Sequence, residues 1–373
     1  MAKEYKRESG IELLRIILML QIVFLHISEY GGYTEQAMKI GGHTKLAYLA
    51  IWLLCRCPVP LLIVLTGYFM AGHEISLKKM LGKWIPVHHT MWFYSISIML
   101  FCLAAGALGL PFAGLKEVDT EEMIIAFLPF LHRTWFFMTN YLLVLFLTPF
   151  VNKALCRLNR QEYLILTGGL FFLLTIWTSL AGMEGINDII SLKKVVVNES
   201  GKSLYMFLFL YILGGCVRRC IPEREGIQWK WLLSFFLLWA VNLTLTWYAG
   251  WYGQLFRKSD NPIVILQCVT LLLFFRSLHF SSGFVNAVSK NNIGVYLIHE
   301  HHMMRSLVWS SFPFLKTREF YGQGIRGLLS IAVILCICIC VYLVCNLLEE
   351  CRLRLFHAAA AARNRKLQIH KKS

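Results

Sequence analysis

Long stretches without a charged side chain constrain this chain more than any other feature. Aspartate, glutamate, lysine and arginine are absent from Trp84–Leu115, Thr134–Asn152, Tyr163–Met183, Trp231–Phe256 and Gly327–Leu348. Each stretch can cross the membrane as a helix, which takes about 20 residues. Of all residues, 16% are charged and 57% are hydrophobic, whereas soluble domains average about 25% and about 45–50%. This pattern excludes a soluble globular enzyme and a disordered chain, and it predicts an all-α membrane protein.

Further segments complete a predicted polytopic bundle of about ten transmembrane helices. They are Ser203–Val217 and Asn261–Phe275, which are shorter, and Ile11–Ser28, Leu46–Gly72 and Asn292–Phe312, which carry charges. If the N-terminus is cytoplasmic, most of the 37 lysines and arginines fall in cytoplasmic segments, as the positive-inside rule requires. We therefore predict that both termini are cytoplasmic, with one membrane domain over residues 1–350 and a basic tail over 351–373.

The net charge indicates which partners the chain has, and the cysteine positions indicate how its cysteines are used. The net charge of +16 is explained by the loop bias and by contact of the tail with anionic lipid, so we predict the lipid bilayer and no nucleic acid as partners. The 12 cysteines lie mostly in apolar segments. This favours a role as small hydrophobic side chains over a disulfide framework.

One face of the first span carries a guanidinium and an imidazole. Arg15 and His26 are eleven residues apart, which is about 20° from three full turns and about 16 Å along the helix. Glu12 precedes Arg15 by three residues and can pair with it. A charge at the centre of a membrane costs about 2.5–3.5 kcal/mol on insertion scales. Such a face indicates a functional site, although a snorkelling arginine and a satisfied interfacial histidine would give the same spacing.

Four motifs in order along the chain resemble those of the acyltransferase-3 family of integral-membrane acyltransferases. Glu12-Leu-Leu-Arg15, ten residues and His26 resemble its R-x10-H pattern. The segment PVPLLIVLTGYF from Pro58 resembles its second helix, with Thr66 at a position where the family has serine. The segment HRTWF from His132, followed by a later Pro-Phe, resembles its fourth helix, and NIGVYLIH ending at His299 resembles its late G-I-Y-L-I-H.

The resemblance implies an enzyme of the bacterial inner membrane. It implies transfer of an acyl group, by default acetyl, from cytoplasmic acyl-CoA to a hydroxyl of a cell-surface polysaccharide or its lipid-linked precursor. Acetyl-CoA or another acyl-CoA would be a donor substrate, with no permanently bound cofactor. The unit would act alone or with other envelope-biosynthesis proteins. The alternative is a membrane transporter or flippase of a polysaccharide precursor or small anion, which would also keep charges in the membrane.

The resemblance also assigns roles to the polar face. His26 would be the general base for the acceptor hydroxyl, or a nucleophile that carries the acyl group. Arg15, beside Glu12, would bind the donor or orient the helix. His299 matches the late motif, and a catalytic role and a structural hydrogen-bonding role are both open. His299 and His302 have a ligand-like spacing, but the family is not known to need a metal, and we predict none.

Two further predictions concern the donor site and a buried pair. Lys78, Lys79 and Lys83 lie at the predicted cytoplasmic face, where the family commonly carries arginines, and would attract the phosphates of CoA. Trp135 would line the acyl channel or belong to an interfacial aromatic belt. Arg56 and Glu300 lie at similar predicted depths, and we predict an ion pair between them because an unpaired buried charge is costly.

Overall fold

The computed structural model describes residues 8–182, 201–248, 258–322 and 325–370, and the protein is a helical bundle. It is 80% helical, and the described residues contain no strand. Six helices in these ranges are long and apolar enough to cross a membrane. The prediction of an all-α polytopic membrane protein is therefore confirmed.

Helices account for most of the described residues. In chain order they are α1 Ser9–Tyr30, α2 Tyr33–Ile40, α3 Gly42–Leu54, α4 Pro58–Met70, α5 Leu77–Ala107, α6 Thr120–Phe127, α7 Phe136–Leu155, α8 Arg160–Leu180, α9 Leu204–Cys220, α10 Trp229–Tyr248, α11 Pro262–Arg276, α12 Gly283–Ser289, α13 Asn292–Glu300, α14 His302–Ser310, α15 Arg318–Tyr321 and α16 Ile325–His370. A π-helical segment, Phe172–Trp177, lies within α8.

The candidate spans are α1, α3 with α4, α5, α8, α10 and part of α16. The remaining predicted spans are also helical and correspond to α7, α9, α11 and the pair α13 and α14. The total of about ten spans and the cytoplasmic location of both termini stay predictions. The division into a membrane domain and a tail at residue 350 also stays a prediction, and α16 continues through this position.

Two of the predicted spans are not continuous helices, because each is interrupted near its middle. Leu46–Gly72 is divided because α3 ends at Leu54 and α4 begins at Pro58, and proline disfavours a helical residue before it. Asn292–Phe312 is divided at His301, whose ψ of 132° is extended. The His301 side chain accepts a hydrogen bond from the Met303 amide and caps α14. Both breaks leave polar side chains inside the bundle.

Helices α4 and α9 pack with their backbones in direct contact. A Cβ atom on Gly67 would lie 1.9 Å from the carbonyl oxygen of Tyr211, and one on Gly214 would lie 2.0 Å from that of Val64. Glycine at both positions therefore permits an approach that any larger residue would block, as in many membrane helix pairs.

Helix α1 occupies the interior of the bundle. It contacts α4, α11, α12, α13 and α16, and Leu14, Leu18, Val23 and Ile27 on it are fully buried. It ends before Gly31 and Gly32, and Gly32 adopts a left-handed φ of 101° that favours glycine. Because α1 is surrounded by other helices, its polar face points into the protein.

Candidate active site

Two histidines from distant parts of the chain meet near the C-terminal end of α1. His26 Nδ1 lies 3.0 Å from His299 Nε2 in α13. His299 Nδ1 in turn lies 2.6 Å from the carbonyl oxygen of Val295. His299 is fully buried, whereas His26 borders a cavity. The structure thus brings together His26 and His299, which the sequence motifs singled out separately.

This chain of hydrogen bonds assigns the proton on each ring. The Val295 carbonyl can only accept, so His299 Nδ1 carries the hydrogen, and Nε2 of the neutral ring is an acceptor. His26 Nδ1 therefore donates to His299, which leaves Nε2 of neutral His26 with a free lone pair. Among the described residues, Nε2 of His26 has no hydrogen-bond partner. His26 is thus held in the tautomer that a general base requires.

Glu300 places its carboxyl group beside His26. Its Oε2 atom lies 3.1 Å from His26 Nδ1, and its Oε1 atom lies 3.8 Å from the Arg305 guanidinium. Arg305 also stacks over the ring of Tyr30, with its Cζ atom 4.3 Å from the ring centroid. When His26 takes a proton, the Glu300 carboxylate lies where it stabilises the resulting imidazolium, the role of the acidic residue in a serine-protease triad.

The other end of the polar face is organised around Arg15. Its guanidinium lies 2.8 Å from Glu12 Oε1, and Glu12 Oε2 accepts a hydrogen bond from the Ser289 hydroxyl at 2.6 Å. The Arg15 backbone carbonyl accepts from the side chain of Asn292 at 3.0 Å. Glu12 is buried, while the Arg15 side chain is 35% exposed. Glu12 therefore fixes Arg15 with part of its guanidinium free toward a cavity.

Two cavities lie along α1, one at each end of the polar face. The first, here called the Arg15 cavity, has a volume of about 310 Å³ and is lined by Glu12, Arg15, Tyr141 and Lys290, among others. The second, the His26 cavity, has a volume of about 460 Å³ and also contains Glu300.

The two cavities share three lining residues, Ile22, Phe137 and Tyr296. The rings of Phe137 and Tyr296 meet edge to face, with centroids 5.8 Å apart. These three side chains are the shared boundary of the two cavities, here called the constriction. A thin chain that passed it would join the Arg15 end of α1 to His26.

A family model described as an acyltransferase domain, that of the acyltransferase-3 family, matches residues 8–349. The chain belongs to the acyltransferase-3 family. The match covers α1 to α15 and the first half of α16, so both cavities lie within the acyltransferase-3 domain. No curated protein and no solved structure matches the chain. Membership of this family indicates that the protein is an acyltransferase, and it favours this function over the alternative of a transporter or flippase.

Several predicted site residues of this acyltransferase-3 domain lie outside the two cavities. Lys78, Lys79 and Lys83 are exposed on the first turns of α5, and no described cavity is lined by them. Trp135 is 1% exposed and packs edge to face on His301, with ring centroids 5.2 Å apart. Trp135 therefore supports the break between α13 and α14, and it lines neither cavity.

The predicted ion pair between Arg56 and Glu300 is not formed. Both residues line the His26 cavity, but Glu300 contacts His26 and Arg305. Arg56 lies in the turn between α3 and α4 and stacks on Trp52, with its Cζ atom 4.5 Å from the ring centroid. The prediction assumed two continuous helices, whereas Arg56 lies in the break before Pro58 and Glu300 is the last residue of α13.

The structure adds functional candidates that the sequence did not single out. Ile22, Phe137 and Tyr296 form the constriction, and Arg305 holds Glu300. Tyr296 belongs to the NIGVYLIH motif, so its position there was a usable signal. His302 lies 2.6 Å from Glu122 of α6 and serves to dock α14. Within the described residues, no group of three histidine, cysteine or acidic side chains could hold a metal ion.

Proposed function

We propose that this acyltransferase transfers an acetyl group from cytoplasmic acyl-CoA to a hydroxyl of a cell-surface polysaccharide or its lipid-linked precursor, in the inner membrane of a bacterium. The observation that carries the proposal is the free Nε2 lone pair of His26 in a cavity, with Nδ1 hydrogen-bonded to His299 and the Glu300 carboxyl group 3.1 Å from Nδ1. A base of this kind suits removal of a proton from a sugar hydroxyl.

The reaction then needs one proton relay through His26. Nε2 takes the proton of the acceptor hydroxyl as its oxygen bonds to the thioester carbonyl carbon. The tetrahedral intermediate collapses, the carbon–sulfur bond breaks, and the imidazolium returns the proton to the CoA sulfur. The products are the acyl ester and free CoA. A covalent acyl-histidine route would use the same lone pair as nucleophile.

The Arg15 cavity suits the donor arm. Its volume of about 310 Å³ can hold the acyl-pantetheine arm and is too small for all of CoA, so the nucleotide stays at the cytoplasmic surface. Arg15 would hold a polar group of that arm by charge and hydrogen bonds. The exposed lysines of α5 lie at the predicted cytoplasmic face, where they would attract the phosphates.

The proposal is tested by the acetate that alkali releases from the surface glycans of host cells. Cells expressing the chain are compared with cells carrying the empty vector, after equal membrane expression of wild type and Arg15→Ala is confirmed. Acetate that depends on the chain, and that decreases with Arg15→Ala, would support the proposal. Equal acetate in all strains would contradict the acetyl donor or the glycan acceptor.

A further inference from the structure

Among its described lining residues, the His26 cavity has more positive than negative side chains. Its described lining contains five cations and two carboxylates, and the positive residues come from separate parts of the fold. The cations are Arg56, Arg133, Lys202, Lys258 and Arg305, and the carboxylates are Glu29 and Glu300.

Of these five cations, Arg305 alone forms an ion pair within the described residues. Glu300 is engaged by His26 and Arg305. Within the described ranges, the other four cations, Arg56, Arg133, Lys202 and Lys258, have no carboxylate within 4.0 Å.

Aromatic rings hold two of these cations without neutralising them. Arg56 lies over Trp52, as described above, and its buried Nε atom has no hydrogen-bond partner among the described residues. The Lys202 ammonium lies 5.0 Å from the centroid of the Phe136 ring. A ring attracts a cation by its quadrupole and leaves the charge available to an anion.

The Arg15 cavity differs in this respect. Arg15 pairs with Glu12 at 2.8 Å, and Lys290 pairs with Glu350 at 3.2 Å. Both of these cations have a carboxylate partner, so the excess of positive charge belongs to the His26 cavity. Gathering like charges beside a low-dielectric interior is costly unless an anion offsets them.

We propose that the His26 cavity binds an acidic acceptor, a sugar that carries a carboxylate or a phosphate beside the hydroxyl to be acylated. This proposal rests on the proposed acyl transfer and names the substrate class of the same site. The unpaired cations, including Lys202 and Lys258, hold the anionic group while the hydroxyl faces His26. A neutral sugar would leave Lys202 and Lys258 without a carboxylate at ion-pair distance.

The test measures binding to the purified full chain in neutral lipid nanodiscs, from the rise in Tm with ligand concentration. The probes are methyl glucoside, methyl glucuronide and glucose 1-phosphate, which separate a carboxylate from a phosphate on one kind of ring. We expect at least one acidic probe to bind about tenfold tighter than methyl glucoside at low salt, and the preference to shrink as salt screens the charges.

A double variant, Lys202→Gln/Lys258→Gln, tests the assignment of the site. It is expected to lose about threefold to tenfold of the acidic preference, whereas the matched control Lys39→Gln/Lys45→Gln keeps it, since neither lysine lines the cavity. The salt dependence of the wild type gives a second readout should the double variant fail to fold.

Two results would overturn the proposal. One is equal affinity for the neutral and acidic probes at low salt. The other is a double variant that binds adenosine 3′,5′-bisphosphate, the phosphate-bearing end of CoA, more weakly than wild type but binds the acidic sugars as tightly as wild type. Transfer of labelled acetyl to the probes is measured in parallel. An acidic preference without any transfer would contradict the proposed function and leave the acidic site standing.

Discussion

Glu300→Gln removes the negative charge beside His26 and keeps the shape of the side chain. At the observed 3.1 Å, a carboxylate and an imidazolium attract each other by about 5 kcal/mol at an effective dielectric constant of about 20. In the transition state the proton is only partly transferred to His26, so about half of this attraction acts there. The net loss of about 2–3 kcal/mol in the transition state would lower kcat about 30- to 150-fold.

The assay is release of CoA from acetyl-CoA by the purified chain with its acceptor, followed with a thiol reagent. Because Glu300 lies at His26, away from the donor end, the KM for acetyl-CoA should stay within about twofold while kcat decreases. Glu35→Gln is the matched control, since Glu35 is exposed and pairs with Lys39. A kcat of Glu300→Gln within twofold of wild type would refute the role of this carboxylate.

Three further predictions follow from the geometry. Glu12→Gln should loosen Arg15 and raise the KM for acyl-CoA about threefold to tenfold with kcat little changed. Initial rates measured over a range of acyl-CoA concentrations give both constants, and an unchanged KM would count against a role of Glu12 in holding Arg15. Gly67→Ala should lower the Tm in detergent or abolish expression, because its Cβ would lie 1.9 Å from a carbonyl oxygen of α9. The control Gly82→Ala, whose Cβ would meet nothing within 4 Å, should keep the wild-type Tm. Equal Tm values for the two variants would argue against the close packing of α4 and α9. Phe137→Ala should widen the constriction and raise the rate with butyryl-CoA relative to acetyl-CoA at least about threefold; an unchanged ratio would show that this wall does not limit the acyl chain.

The arrangement along α1 was readable from the sequence. A helix repeats every 3.6 residues, so Arg15 and His26 had to share a face, and the apolar surroundings predicted the helix. The pair of Glu12 with Arg15 follows from the same periodicity and is observed at 2.8 Å. Local spacing fixes such contacts because they lie within one rigid element.

Contacts between distant segments could not be read in this way. His26 and His299 are separated by 273 residues, and only the fold decides that they meet. The ion pair of Arg56 with Glu300 was predicted from matched depth along unbroken helices. No contact within 4.0 Å joins the two charges, and the chain is not helical at either Arg56 or His301. The depth of a residue in the membrane cannot be found by counting residues along a span that a proline or an extended residue interrupts.

The most direct test of the account is the rate of acetyl transfer by His26→Ala, compared with wild type and with His43→Ala, which replaces an exposed histidine of α3. All three are purified and shown to have the same Tm before labelled acetyl-CoA and acceptor are added. We predict that His26→Ala loses at least about 100-fold in rate, while His43→Ala keeps the wild-type rate. Transfer by His26→Ala at the wild-type rate would contradict both the general-base and the acyl-histidine mechanisms.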